Sequence, residues 1–203
     1  MTPDELLKYQ HPLTDTLNKI MSDARYVEGI KYGVPRKGHP EGSVGKHIAD
    51  LLANLDKMWE GGWLSGDEFW KLTILIHVHD IMKYAAKPDS AINDPQSHAS
   101  LAAKFLSEFS DDKDLINMVQ AHDENLALWQ RFKLKGSYPE ERLKERVLDK
   151  IKDIELLLLF QIIDSSTPGK TDMKVMPRWF VDEVNKHNIY TPRVYSVLEL
   201  FGL

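Results

Sequence analysis

The sequence predicts an all-α bundle, on three observations. Apolar residues recur at helical spacing in one segment after another, no stretch alternates apolar and polar residues with period two, and proline, glycine or capping residues divide the segments. Thr2 followed by Pro3 has the pattern of an N-cap and first-turn proline, opening a helix toward Ala24 with a break near His11 and Pro12. Residues 25–42 read as a loop. A helix over 43–59 places Val44, Ile48, Leu51, Leu55 and Met58 on one face, and Gly61 and Gly62 stop it. Ser65 stands three before Glu68, a capping-box spacing, and opens a helix over 65–84. Pro88 and Pro95 punctuate the following loop, and helices are expected over 96–109 and 112–129. Pro139 begins a long helix to 164, charged in its first half and apolar in its second, so that it enters the core as it proceeds. Residues 165–169 end it. Helical patterns at 179–186 and 192–201 form a C-terminal extension over 170–203, read as a core cover or lid. A chain of 203 residues with no internal repeat fits one domain.

Composition narrows the function classes. Zero cysteines exclude disulfides and thiolate metal sites, so any metal must use imidazole and carboxylate ligands. A net charge of -5 argues against a surface for duplex nucleic acid and leaves room for a local basic rim around a small phosphate. The N-terminus lacks the basic start and apolar core of a signal peptide, and the longest apolar run, Leu156 to Phe160, is too short to cross a bilayer. A cytoplasmic protein without a membrane partner is expected.

The informative feature is where polar groups fall on apolar stripes. His47 lies between Val44 and Leu51. Phe69, Leu72, Ile76, His79 and Lys83 share a stripe with Asp80 beside it, on a helix apolar nearly all round and therefore central. His98 heads the stripe of Leu101, Ala102 and Phe105, His122 closes that of Leu115 and Val119, and Asp164 closes that of Leu157 and Phe160. Singly, each such residue is an ordinary hydrogen-bonded core group. Jointly they aim imidazoles and carboxylates at one interior with few cationic partners, and buried carboxylates need a cation or a metal. His11, His77 and His187 are read as structural, and His39 as a loop residue facing substrate or solvent. Arg36, Lys37 and Lys46 flank His47 as a possible substrate-recruiting rim; Trp63, Trp129 and Trp179 read as core residues before base-stacking ones.

The stretches HPEGSVGKHIADLL, ILIHVHDIMK, SHASLAAKF, VQAHD and LLFQIIDSS occur in that order over about residues 38–166. This series resembles the HD-domain phosphohydrolases, whose pattern is a histidine, a His-Asp doublet closing an apolar helix, and a distant aspartate. The resemblance implies a helical bundle with the metal site between central helices. His47, His79, Asp80 and Asp164 would hold a first divalent ion, with His98, His122 and a bridging Asp80 holding a second; in a one-ion site His98 and His122 would contact the phosphate instead. Sulfur-free ligands suit manganese, iron, cobalt, nickel or zinc. Asp80 and Lys83 would be catalytic, Lys83 by binding a phosphate oxygen or stabilising the leaving group, and the substrate a nucleotide or similar small phosphoester, including a cyclic phosphate. Met82 departs from the family's frequent glycine, and Asp123 stands where members that degrade cyclic dinucleotides carry a second histidine. The alternative is a catalytically silent signalling or scaffold module of the same fold.

Overall fold

The structure is a computed structural model that describes residues 11–170 and 174–203. The expected cap at Thr2 and Pro3 lies outside the described residues. Among the described residues there is no strand, only an isolated antiparallel bridge between Arg36 and His39. The chain forms a helical bundle: α1 (Leu13–Ser22), α2 (Ala24–Gly29), α3 (Val44–Glu60), α4 (Gly66–Val78), α5 (His98–Leu106), α6 (Lys113–Ala121), α7 (Glu124–Lys135), α8 (Glu140–Leu143), α9 (Ile154–Ser165), α10 (Met176–Asn185) and α11 (Pro192–Phe201).

Helices α4 and α9 form the centre, because both are apolar nearly all round and so gain by burying most of their surface. Helix α4 packs against α1, α3, α5, α6 and α9, and α9 packs against α3, α10 and α11. The Ser65 capping box is formed, with Ser65 Oγ accepting from Glu68 N and Glu68 Oε2 from Ser65 N. Phe180, Val184, Val194 and Leu198 belong to the same apolar cluster as the central helices, so α10 and α11 complete the core. No helix among the described residues is long and apolar enough to cross a membrane.

Four expected boundaries move. Residues 25–42 are not all loop: Asp23 caps the short α2 by accepting from Arg25 N at 2.8 Å. Helix α4 stops at Val78 instead of running to 84, and the chain turns through His79–Met82 into a 3-10 turn, Lys83–Ala85. Gly29 of α2 lies against that turn so closely that a Cβ would sit 2.1 Å from the Ile81 carbonyl oxygen. The helix expected over 112–129 breaks at His122 and Asp123 into α6 and α7. The helix expected over 139–164 is also interrupted. A π turn, Lys144–Leu148, follows α8, and Asp153 then recaps the chain through Leu156 N at 3.0 Å. The Asp114 carboxylate fixes this break by accepting from Lys152 N at 2.6 Å and Asp153 N at 3.0 Å.

Candidate metal centre

Two ligand groups form where the helix ends meet, His47 with His79 and Asp164, and Asp80 with His98 and His122, and a third, His39 with Glu41, shares His47 with the first. Helix α3 supplies His47, the turn after α4 supplies His79 and Asp80, α5 opens with His98, His122 caps α6, and Asp164 lies in the last turn of α9. Stopping α4 and α6 at their histidines has a geometric consequence. Neighbours on a continuing helix would diverge by about 100 degrees, but a chain that turns there can aim two adjacent side chains at one place. Asp80 Oδ1 lies 3.7 Å from His98 Nε2 and 3.6 Å from His122 Nε2, while its Oδ2 lies 3.4 Å from His79 Nε2. One carboxylate thus touches the first two groups. His47 Nε2 and Asp164 Oδ1 are 3.0 Å apart.

The ring orientations suit metal ligation. His79 Nδ1 lies 3.0 Å from the Ile76 carbonyl and His122 Nδ1 lies 2.7 Å from the Val119 carbonyl. Both rings therefore place their Nδ1 proton on the backbone and turn Nε2 inward, as metal-ligating histidines do. His79 Nε2 is buried without a hydrogen-bond partner, and so is His47 Nδ1. Within each group the donor atoms lie within 4.8 Å of one another, and ligand bonds of about 2.1 Å could span that spacing after small side-chain rotations. The donor set and the orphaned imidazole nitrogen fit a divalent ion held by nitrogen and oxygen.

Electrostatics point the same way. Burial pushes the His79 imidazole below its ordinary range, keeping it neutral. Burial alone would raise the Asp80 and Asp164 carboxyls. His79 and Lys83 outweigh it for Asp80, and Lys170 and His47 for Asp164, so both stay well below the carboxylate range. Burial disfavours charge on His122 too, but Asp123 and Asp80 overcome it and raise His122 to about 9, so a cation binding here must displace a proton. Burial would lower Lys83, yet Asp80 and Asp123 hold it above its ordinary value.

Three site residues, Asp123, Lys170 and Glu41, were not read as such from the sequence. Asp123 Oδ2 lies 3.1 Å from His98 Nε2 and 3.7 Å from His122 Nε2, and its signal was in plain view as a second His-Asp doublet. Lys170 is buried and places Nζ 2.6 Å from Asp164 Oδ1; the turn that returns it to Asp164 has no local pattern to betray it. That turn passes through Gly169, whose φ of +87° is left-handed and whose Cβ would stand 2.4 Å from Pro40 Cδ. Glu41 also contributes, its Oε1 lying 2.9 Å from His39 Nδ1 and 3.5 Å from His47 Nδ1.

The site opens into a cleft of about 130 Å³ lined by His39, His47, Asp80, Lys83, Asp123 and Lys170, among others. Arg36 borders an adjoining recess with His39 and Lys83. Lys37 and Lys46 are exposed and line neither space. Trp63, Trp129 and Trp179 lie elsewhere: Trp129 and Trp179 pack ring against ring with Phe132, and Trp63 packs on the core. His77 bonds the Tyr26 hydroxyl at 2.7 Å, and His11 stacks on Trp70. His187 follows α10 in a turn closed by its N–H on the Val184 carbonyl. Compared with models of known families, with curated proteins and with solved structures, the chain matches none.

Proposed function

We propose that the protein is a metal-dependent phosphohydrolase of the HD-domain type, acting on a nucleotide or similar small phosphoester, cyclic phosphates included. One observation carries this reading: the ordered residues His47, His79, Asp80, His98, His122 and Asp164, which lie far apart in the chain, converge as two ligand groups joined through Asp80. A bound divalent ion supplies a hydroxide source at neutral pH and neutralises charge on phosphoryl oxygens.

The protein's own groups do the rest. His79 and His122 have Nδ1 fixed on backbone carbonyls, so ion binding needs only small rotations and, at His122, loss of the Nε2 proton. Lys83 brings an ammonium to the edge of the site and is suited to a phosphoryl or leaving-group oxygen. Charge balance favours a doubly negative ligand. Glu41, Asp80, Asp123 and Asp164 face Lys83 and Lys170, which leaves the pocket two negative charges once ion binding has displaced the His122 proton. One divalent ion cancels that deficit, and a second gives the excess positive charge that a phosphate dianion matches.

The test is elemental analysis of the purified protein, followed by a hydrolysis screen over nucleoside mono-, di- and triphosphates and 2',3'-cyclic nucleotides that reads released phosphate and, by chromatography, the nucleotide products. Stoichiometric bound metal with turnover of at least one class is expected. Well-folded, metal-loaded protein inert toward every phosphoester would overturn the proposal and favour the silent scaffold.

A further inference from the structure

Two carboxylates of the site, Asp80 and Asp164, each already hold a cation of the protein's own. Lys83 Nζ lies 2.5 Å from Asp80 Oδ2 and Lys170 Nζ 2.6 Å from Asp164 Oδ1. The two lysines are not equivalent. The Lys83 side chain is 25% exposed and has water as an alternative partner, whereas that of Lys170 is only 5% exposed and needs an anion wherever it goes. Its present anion is shared, because Asp164 Oδ1 also meets His47 Nε2 at 3.0 Å.

A divalent ion bound by His47, His79 and Asp164 would share the carboxylate that neutralises Lys170. Two cations on one carboxylate repel at short range in a poorly solvated place, so ion and ammonium compete. A lysine stem is long and its ammonium is a compact point charge, able to change partners without moving the backbone. Lys170 also lines the cleft beside Lys83 and His39, so the open side of its surroundings is the space a substrate would fill.

We propose that Lys170 is a phosphate-binding residue: it caps Asp164 in the ion-free protein and transfers to the phosphoryl oxygens of the ligand once a divalent ion occupies Asp164. The identity of the anion rests on the phosphohydrolase reading; the exchange of partners rests only on the ion site. Metal and phosphate then bind with positive coupling, and each raises the affinity of the other by the same factor.

The experiment uses the full chain, Mn(II) and inorganic phosphate, with calorimetric titration of phosphate into ion-free and Mn-loaded protein. Lys170→Met and Lys170→Arg are compared with wild type, with metal content measured alongside. The loaded wild type is expected to bind phosphate at least tenfold more tightly than the ion-free protein. Lys170→Met should lose at least tenfold in phosphate affinity at full metal content, and should bind Mn(II) more tightly because the competing ammonium is gone. Lys170→Arg should retain phosphate affinity within a few fold and shows that loss in the methionine variant is not misfolding. Undiminished phosphate affinity in Lys170→Met reduces Lys170 to a counter-ion, loss of metal together with phosphate makes it a support for Asp164, and failure of loaded wild type to bind phosphate ends the proposal. Lys170-dependent phosphate binding without hydrolysis of any phosphoester would sink the phosphohydrolase reading alone.

Discussion

Replacing Asp80 with asparagine tests the site most directly, because that carboxylate touches both ligand groups while the amide keeps its shape. Its oxygens reach His98, His122, His79 and Lys83 within 3.7 Å, so the change removes a charge from either ion at once. For a wild-type protein at an ion concentration one hundred times its Kd, binding adds about 2.7 kcal/mol to stability. At roughly 2–4 °C per kcal/mol for a chain of this size, Mn(II) should raise Tm of chelator-treated protein by about 5–11 °C. Loss of this ligand should weaken binding at least about a hundredfold, which is again about 2.7 kcal/mol. At the same ion concentration Asp80→Asn would then retain about 0.4 kcal/mol, a shift of about 1–2 °C. Differential scanning calorimetry over an Mn(II) titration reads both values. An Asp80→Asn protein that shifts as far as wild type would show that the ion binds elsewhere or not through this carboxylate.

Three further outcomes are expected. His98→Ala, His122→Ala or Asp123→Ala should each lower bound metal from about two ions per chain toward one and depress turnover strongly, as read by elemental analysis and steady-state kinetics; full metal and full kinetics would make them core residues. Gly29→Ala should cost about 1–3 kcal/mol in urea unfolding, since its Cβ would meet the Ile81 carbonyl at 2.1 Å, and should weaken Mn(II) binding by moving the neighbouring Asp80. Burial lowers His77 to about 4, so above the ordinary 6.5 neither state takes its proton, and as pH falls from 6.5 toward 4 only the unfolded chain does. Stability is therefore lost in that window at about 1.4 kcal/mol per pH unit, and a Tyr26→Phe/His77→Leu protein should lose about one proton's worth less; an unchanged slope would refute the assignment.

The bundle and most of its site were legible because both depend on periodicity. His47 and Asp164 stand on helical stripes that can be counted, and the capping box at Ser65 is a local pattern that tertiary structure left alone. Helix interruptions were less visible. The break ahead of Ile154 depends on Asp114, whose carboxylate comes from 38 and 39 residues away in the chain to take the Lys152 and Asp153 amides. The early stop of α4 coincides with the approach of Gly29, which no window around His79 contains. The local hint at 153, a switch from charged to apolar residues behind a capping aspartate, was read as a helix entering the core and not as a second helix beginning. Lys170 was missed for the same reason as the breaks: its partner is fixed by a turn and not by a stripe.

The contact between Gly169 and Pro40 has a consequence for what the cleft can admit. These residues immediately precede Lys170 and follow His39, so the two segments that border the opening meet backbone against ring with no room for a single methyl group. Side-chain rotation cannot widen such a joint; only displacement of main chain can. At this point of the rim the width is set by main-chain packing and not by rotamers, so variation in what the cleft accepts is carried by the side chains along its walls.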